Sequence, residues 1–297
     1  MTKRNYYCLI AGLPELVADE KKLSFTAIEF REMLRDDLSP ADFNLATLYY
    51  LPYDNKNLLN LLFKKDAEWD VRGNYPKEFL EQIADRKQYE LAEDIELPPY
   101  MCSFLEQFYS ESGIDSYYAV ELTLTARYYD YLVNNSCQFV REVAEYDRTV
   151  GNIMAALSGR KYKMAYENTL VGDDDLTQSI RKNRTRDFGL SGEVDDIETL
   201  VQIYETVNPV EREFKLDQYR WQHLDDSTFF NYFSIEKILV YIRKLFIAER
   251  WYSLDRKKGQ QMFNRILNEL RAGFQMPDEF ATAYGKKKNK DFNIETQ

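Results

Sequence analysis

The sequence predicts an all-α protein, because apolar residues recur at helical spacing along most of it and no convincing pair of strands is present. The clearest pattern lies in the stretch 229–254, where Ile235, Ile238 and Ile242 fall on one helix face. Six charged residues interrupt that stretch, whereas a helix that crosses a bilayer needs about 20 mostly apolar residues. We therefore interpret it as a core helix, with Ser234 as its N-terminal cap.

The first hundred residues contain several short helical patterns with recognisable starts. The apolar segment 6–13 fits a strand or the first turn of a packed helical arm, and periodicity does not separate the two. The helices predicted after it are one at 24–38 capped by Ser24, one that begins at Ser39 and stops before Pro52, one that begins at Asp54, and one opened by Tyr75-Pro76.

Two long helical patterns dominate the middle of the sequence. They cover 116–133 and 136–157, and the short connection Asn134-Asn135 predicts that the two helices form an antiparallel hairpin. The other helices expected in the second two thirds of the chain are at 99–109, 176–180, 195–207, 210–224 and 260–272.

Composition and charge exclude several function classes. The chain has 297 residues and a formal net charge of −11, so a nucleic-acid binder, which normally presents a basic surface, is disfavoured. An anionic lipid surface would repel such a chain as well. The three cysteines are far apart, which predicts buried thiols in a reducing compartment. The apolar run near the start is too short for a signal peptide, and we expect a cytoplasmic protein.

The sequence contains no pattern that we associate with catalysis or with a cofactor. His223 is the only histidine, which excludes sites built from two histidines. No phosphate-binding loop and no dinucleotide-binding glycine pattern is present. The run 173–175 is acidic but lacks the glycine and the distal glutamate of a calcium loop. We therefore predict a protein that is not an enzyme and that binds no metal or cofactor.

Two segments of the sequence resemble each other. Asp54 and Asn57 precede an apolar helix, and Asp147 and Asn152 do so again, with the two asparagines 95 residues apart. We expect both acids to lie at helix N-termini, with their carboxylates near backbone N–H groups. A third unit would fall near residue 247, where Glu249 is the acid and the asparagine is replaced.

A period near 95 residues predicts three helical lobes of one compact unit. We assign residues 1–100, 101–210 and 211–285 to these lobes and residues 286–297, which begin with three lysines, to a solvated basic tail.

The order of motifs in the last third resembles a known family. Glu213, Leu216, Asp217 and Tyr219 form an E-x-x-L-D-x-Y pattern, which precedes the long helix that ends near Glu249. This arrangement resembles the C-subunit family of the archaeal and bacterial V/A-type rotary ATPases, which is similar to the d-subunit family of the eukaryotic vacuolar enzyme. The opening YYCLIAGLP and the length also resemble a bacterial family associated with V-type ATPase operons.

The resemblance implies a function as well as a fold. It implies a funnel of helices in the central stalk of a rotary ATPase that transports protons or sodium ions. Such a component is not catalytic and binds no cofactor. Its partners would be the rotor-axle subunits and the proteolipid ring, without insertion into lipid. Two other classes stay open: a helical-repeat adaptor that binds another protein through a tyrosine-lined groove, and a hydrolase or transferase in an all-α fold.

Overall fold

Helices form all the regular structure that is seen in the described part of the chain, where no strand occurs. The structure is a computed structural model and describes residues 4–18, 23–91, 95–110, 116–194 and 196–254. The prediction of an all-α fold is therefore confirmed.

The described helices are numbered in chain order. They are α1 (Tyr7–Gly12), α2 (Ala27–Asp37), α3 (Pro40–Thr47), α4 (Leu51–Leu62), α5 (Lys77–Ala84), α6 (Arg86–Leu91), α7 (Pro99–Ser110), α8 (Tyr117–Val133), α9 (Gln138–Tyr162), α10 (Asp175–Lys182), α11 (Ile197–Glu205), α12 (Pro209–Ser227) and α13 (Ile235–Ser253). A 3₁₀ turn, Leu48–Tyr50, joins α3 to α4.

Several helix starts follow from local sequence. Ser39 caps α3 and Ser116 caps α8, in each case by accepting a hydrogen bond from a backbone N–H three residues on. The cap of α2 is Thr26 and not Ser24, so that prediction is wrong. Thr26 and Glu29 exchange hydrogen bonds between side chain and backbone, which is a complete capping box and satisfies two otherwise unpaired N–H groups.

Two of the predicted boundaries move for physical reasons. Pro52 does not end a helix but lies in the first turn of α4, where a proline loses no hydrogen bond. The helix predicted at 136–157 continues to Tyr162 and ends where Lys163 adopts a left-handed conformation. The segment 6–13 contains the short helix α1, and α6 was not predicted from sequence.

Two hydrophobic cores lie within the unit Met1–Glu249. The first core collects residues of α2–α8, the first half of α9, Leu224 near the end of α12 and most of α13. The second core collects the rest of α9 with α10, α11 and the earlier part of α12. Ile238, Leu239 and Ile242 of α13 are completely buried in the first core, which stabilises the fold by roughly 1.5–3 kcal/mol for each side chain. Helices α9 and α12 contribute to both cores and so connect them.

The remaining unit is Arg250–Gln297, of which the structure describes the end of α13 and Leu254. The predicted helix at 260–272 and the basic tail lie outside the described residues, and the division into three lobes stays a prediction. The described cysteines are unpaired, and the prediction of buried thiols is wrong, because Cys8 is exposed and Cys102 and Cys137 are only half-buried. Among the described helices, none has the length and apolar character needed to span a bilayer.

Candidate functional site

Asn57 of α4 fixes the backbone of the loop that follows its helix. Its side-chain N–H₂ donates to the carbonyl of Asp70 at 2.8 Å, and its side-chain oxygen accepts from the N–H of the same residue at 3.0 Å. The amide is 2% exposed. One side chain thus satisfies the donor and the acceptor of a single loop residue. The same two hydrogen bonds pair the buried side-chain amide of Asn57, which would cost free energy if it were left unpaired.

Asn152 of α9 repeats this arrangement in the second core. Its N–H₂ donates to the carbonyl of Val171 at 2.8 Å, and its oxygen accepts from the N–H of Val171 at 2.8 Å. The residue is 3% exposed, and its N–H₂ also approaches the Thr177 hydroxyl at 3.2 Å. The two predicted asparagines therefore have equivalent roles. We call residues 70–75 and 171–174 the first and the second pinned loop.

Asp54 holds the first pinned loop from the same helix as Asn57. Its carboxylate accepts hydrogen bonds from the N–H groups of Asn74 and Tyr75 at 3.0 and 3.1 Å, and from the Asn74 side chain at 2.9 Å. Burial raises the pKa of Asp54 to about 6, although these hydrogen bonds act to lower it. Asp54 lies in the first turn of α4 but does not cap it, because its carboxylate points to the loop before α5.

Two further residues complete the first pinned loop. The Arg31 guanidinium donates to the carbonyls of Arg72 and Gly73 at 2.8 and 2.7 Å. Gly73 itself has no room for a side chain, since a Cβ there would meet the Asp54 carboxylate at 2.4 Å. The loop is thus fixed by side chains from α2 and α4. The contact of Arg31 was not predicted from the sequence, because this arginine lies about 40 residues before the loop.

The second pinned loop is fixed by different groups. Asp174 caps α10, accepting from the N–H and the hydroxyl of Thr177 at 3.0 Å each, and forms an ion pair with Arg148 at 2.8 Å. Burial alone would raise the pKa of Asp174, but these hydrogen bonds and the arginine lower it overall. Gly172 has a φ of +90°, a conformation that L side chains avoid.

Asp147 does not lie at a helix N-terminus, and the prediction for it is wrong. It is in the middle of α9, between the residues that enter the two cores, and its carboxylate forms a largely buried ion pair with Arg243 of α13 at 2.6 Å. The reason is spacing. Asp54 precedes Asn57 by three residues, about 60° around the helix, whereas Asp147 precedes Asn152 by five, about 140°. The two acids therefore face different directions, and only the asparagines are equivalent.

Glu249, the acid of the proposed third unit, contacts the start of another helix. Its carboxylate accepts from the N–H of Ala27, the first residue of α2, at 2.6 Å. Burial raises the pKa of Glu249, and the hydrogen bond from Ala27 opposes that effect. The contact joins residues 222 positions apart in the sequence, so α13 is fixed to the first helices of its unit.

The two acids of the E-x-x-L-D-x-Y pattern lie on α12. Glu213 is exposed, and Asp217 is buried, with Arg220 at 3.5 Å from its carboxylate. Further along α12, the His223 ring stacks on Tyr146 with centroids 3.5 Å apart, and burial lowers the pKa of the histidine. In the described residues no group of three or more metal-binding side chains comes together.

The chemistry of these sites is structural. Each predicted motif residue with a contact described above is hydrogen-bonded to a backbone group or paired with a side chain of opposite charge. A family model described as protein of unknown function (DUF2764) matches residues 1–274 of the chain. No curated protein matches it, and no solved structure does either.

Proposed function

We propose that this chain, which belongs to the DUF2764 family, is a non-catalytic component of the central stalk of a V/A-type rotary ATPase, where it joins the rotor axle to the proteolipid ring. The proposal includes a cytoplasmic location, peripheral to the membrane through protein partners, and no cofactor.

The repeated asparagine carries the proposal. Asn57 and Asn152 form the same pair of hydrogen bonds with the loop after their helices, 13 and 19 residues further along. Equivalent buried amides in successive helical segments support an internal repeat, which is the organisation that the resemblance to the rotary-ATPase family implies.

A stalk component must transmit torque without deforming, and the buried polar contacts suit that task. Loops are normally the mobile parts of a domain, yet the first pinned loop accepts hydrogen bonds from the buried Arg31 and Asn57 side chains and donates to the buried Asp54 carboxylate. The ion pair between Asp147 and Arg243 connects α9, which enters both cores, with α13. Buried hydrogen bonds and ion pairs of this kind restrain the segments that they join.

Charge favours basic partners. The chain carries a net charge of −11, so we expect basic residues on the axle or the ring at one of the contacts. Association should weaken as the salt concentration rises, because exposed charges are screened. A grip that transmits torque also needs a contact of more than about 1,000 Å².

Co-purification tests this function. The full chain, carrying an affinity tag and expressed in its own cells, should recover the axle and ring subunits in a one-to-one ratio with the axle, without added nucleotide or metal. The yield should fall between about 0.1 and 0.5 M salt. Recovery of neither partner would overturn the proposal. Recovery of one unrelated protein would favour the adaptor instead, and specific turnover of a small molecule would favour an enzyme.

A further inference from the structure

The connection between α12 and α13 exposes four aromatic side chains. They are Phe229, Phe230, Tyr232 and Phe233, and Tyr7 of α1 joins them. We call these five residues the aromatic tip. Phe230 is 87% exposed, and the other four are between 40% and 60% exposed. Large apolar side chains usually lie inside a protein, so an exposed group of five indicates a surface that binds something.

The aromatic tip is a shaped surface rather than a loose segment. Thr228 and Ser234 on either side of it are buried, and the Thr228 hydroxyl donates to the carbonyl of Leu224 at 3.2 Å. The N–H of Tyr6 donates to the carbonyl of Phe233 at 2.7 Å. The rings also contact one another, with centroids 4.7 Å apart for Tyr7 and Phe233 and 5.0 Å apart for Phe229 and Phe230. The fold therefore presents these rings in a fixed arrangement.

The loop that carries four of these rings has no charge. Residues 227–234 include no acidic or basic side chain, although 30% of the chain is charged. An acidic group opposite the tip would lose water without gaining a partner, and an apolar surface buries the most ring area, so the tip favours an apolar receiving surface. Lysine and arginine normally hold a protein to anionic lipid, and this loop has neither. A second copy of the chain is disfavoured as the partner, because dimerisation would bring together two molecules that each carry a net charge of −11.

The area of the tip indicates an anchor within a larger contact. An aromatic side chain buries about 150–250 Å² when it is covered. With more than half of that area open on most of the five rings, the tip offers roughly 500–600 Å², against about 800 Å² per partner in a standard interface. Central aromatic anchors of this kind carry most of the binding energy in many interfaces.

We propose that the aromatic tip anchors the protein in an apolar, uncharged cleft of the proteolipid ring. This inference rests on the proposed function and names the surface that meets the ring. Of the two expected partners we assign the tip to the ring, because the tip offers an uncharged apolar surface whereas a coiled-coil axle exposes mainly charged positions.

The test measures ring and axle binding separately, with the full chain, the purified ring in detergent and the purified axle subunits. The variant Phe229→Ser/Phe230→Ser removes the most exposed rings. The matched control, Tyr118→Ser/Tyr162→Ser, removes two aromatic rings that are similarly exposed, on α8 and α9. We expect the tip variant to lose at least about tenfold in ring affinity and to keep axle binding, while the control keeps both. Thermal unfolding followed by circular dichroism should give the same midpoint for all three proteins.

The outcomes separate the two proposals. If the unmodified chain binds ring and axle and the tip variant binds both equally well, the aromatic tip is not the anchor but the stalk function stands. If the unmodified chain binds neither, both proposals fail. Tip-dependent binding to protein-free phosphatidylcholine vesicles, or tip-dependent dimers in analytical ultracentrifugation, would identify lipid or a second copy as the occupant and overturn the inference. Restored ring binding by Phe229→Leu/Phe230→Leu would support it.

Discussion

The two pinned loops are held by the same kind of asparagine contact and by different additional groups. In both, a buried asparagine bonds to the N–H and the carbonyl of one loop residue. In the first loop further contacts come from Asp54 and Arg31, which are buried. In the second loop they come from Arg148, Arg181 and Asp174, which are partly exposed, and Arg181 donates to the Gly172 carbonyl at 3.1 Å. The asparagine is therefore the shared element, and the groups around it differ between the two cores.

The chemistry of the amide explains why asparagine is shared. A backbone residue presents one donor and one acceptor, and of the short side chains only asparagine offers an acceptor and a donor in one planar group. A carboxylate such as Asp54 can serve only N–H groups. The supporting groups are free to differ because each needs to satisfy only the remaining backbone atoms of its own loop.

The largest loss of stability should come from removing Asn152. Val171 is buried, so Asn152→Ala should leave its N–H without a partner and its carbonyl with only the 3.5 Å contact from the Thr177 hydroxyl, costing about 3 kcal/mol of unfolding free energy. Asp70 is only half-buried, so Asn57→Ala should cost less, about 1–2 kcal/mol. Urea unfolding measures both. Asn44→Ala on α3, an exposed asparagine, is the control and should change little. An equal or larger cost at Asn57 would contradict the explanation by burial.

Asp54, which holds the first pinned loop, should make the free energy of unfolding depend on pH. The folded pKa of Asp54 is about 6 and its ordinary value is 3.8, so between these values the folded chain holds a proton that the unfolded chain has lost. Stability from this group is therefore present below pH 4 and lost as pH rises to 6. The unfolding free energy of the natural chain minus that of Asp54→Asn should fall by up to about 3 kcal/mol over this window and then stay level. The corresponding difference for Asn44→Ala should not vary with pH, and a rise toward pH 6 for Asp54→Asn would show that the hydrogen bonds outweigh burial.

Local signals made the helices and several caps predictable. Apolar residues three and four positions apart identify α8, α9 and α13, and a cap such as Ser39 lies within three residues of the N–H it binds. The pair of asparagines was also predictable, because a repeat is recognised by comparing one part of the sequence with another.

Contacts between distant helices were not predictable in the same way. The ion pair of Asp147 with Arg243 and the contact of Glu249 with Ala27 depend on which helices pack together, and no local pattern contains that information. The role of Asp147 was predicted wrongly because its spacing from Asn152 was treated as equivalent to that of Asp54 from Asn57.

The glycines should distinguish the two loops by mechanism. Gly73→Ala should destabilise by about 1–3 kcal/mol, because its Cβ would meet an Asp54 carboxylate that three hydrogen bonds hold in place. Gly172→Ala should cost about 1–2 kcal/mol through its positive φ. Gly151→Ala is the control with the opposite sign, since this exposed glycine within α9 has open space around it and alanine should stabilise the helix by about 0.5–1 kcal/mol. Thermal unfolding ranks the three, and a neutral result at Gly73 would mean that Asp54 can move aside.

The smallest effect should come from the ion pair at the second loop, and salt should reveal it. Asp174→Asn keeps a side chain that caps helices as well as aspartate does, but it loses the charge that faces Arg148 at 2.8 Å. Because the Asp174 side chain is 32% exposed, the loss should be about 0.3–1 kcal/mol in dilute buffer and should become smaller at 1 M salt, where the Debye length is about 3 Å. Asp147→Asn is the comparison, since its pair with Arg243 is largely out of water and the cost of breaking it should persist in salt. Urea is the denaturant to use, because guanidinium would itself screen charge. A loss of stability at Asp174→Asn that does not depend on salt would mean that Asp174 acts through the cap and not through its charge.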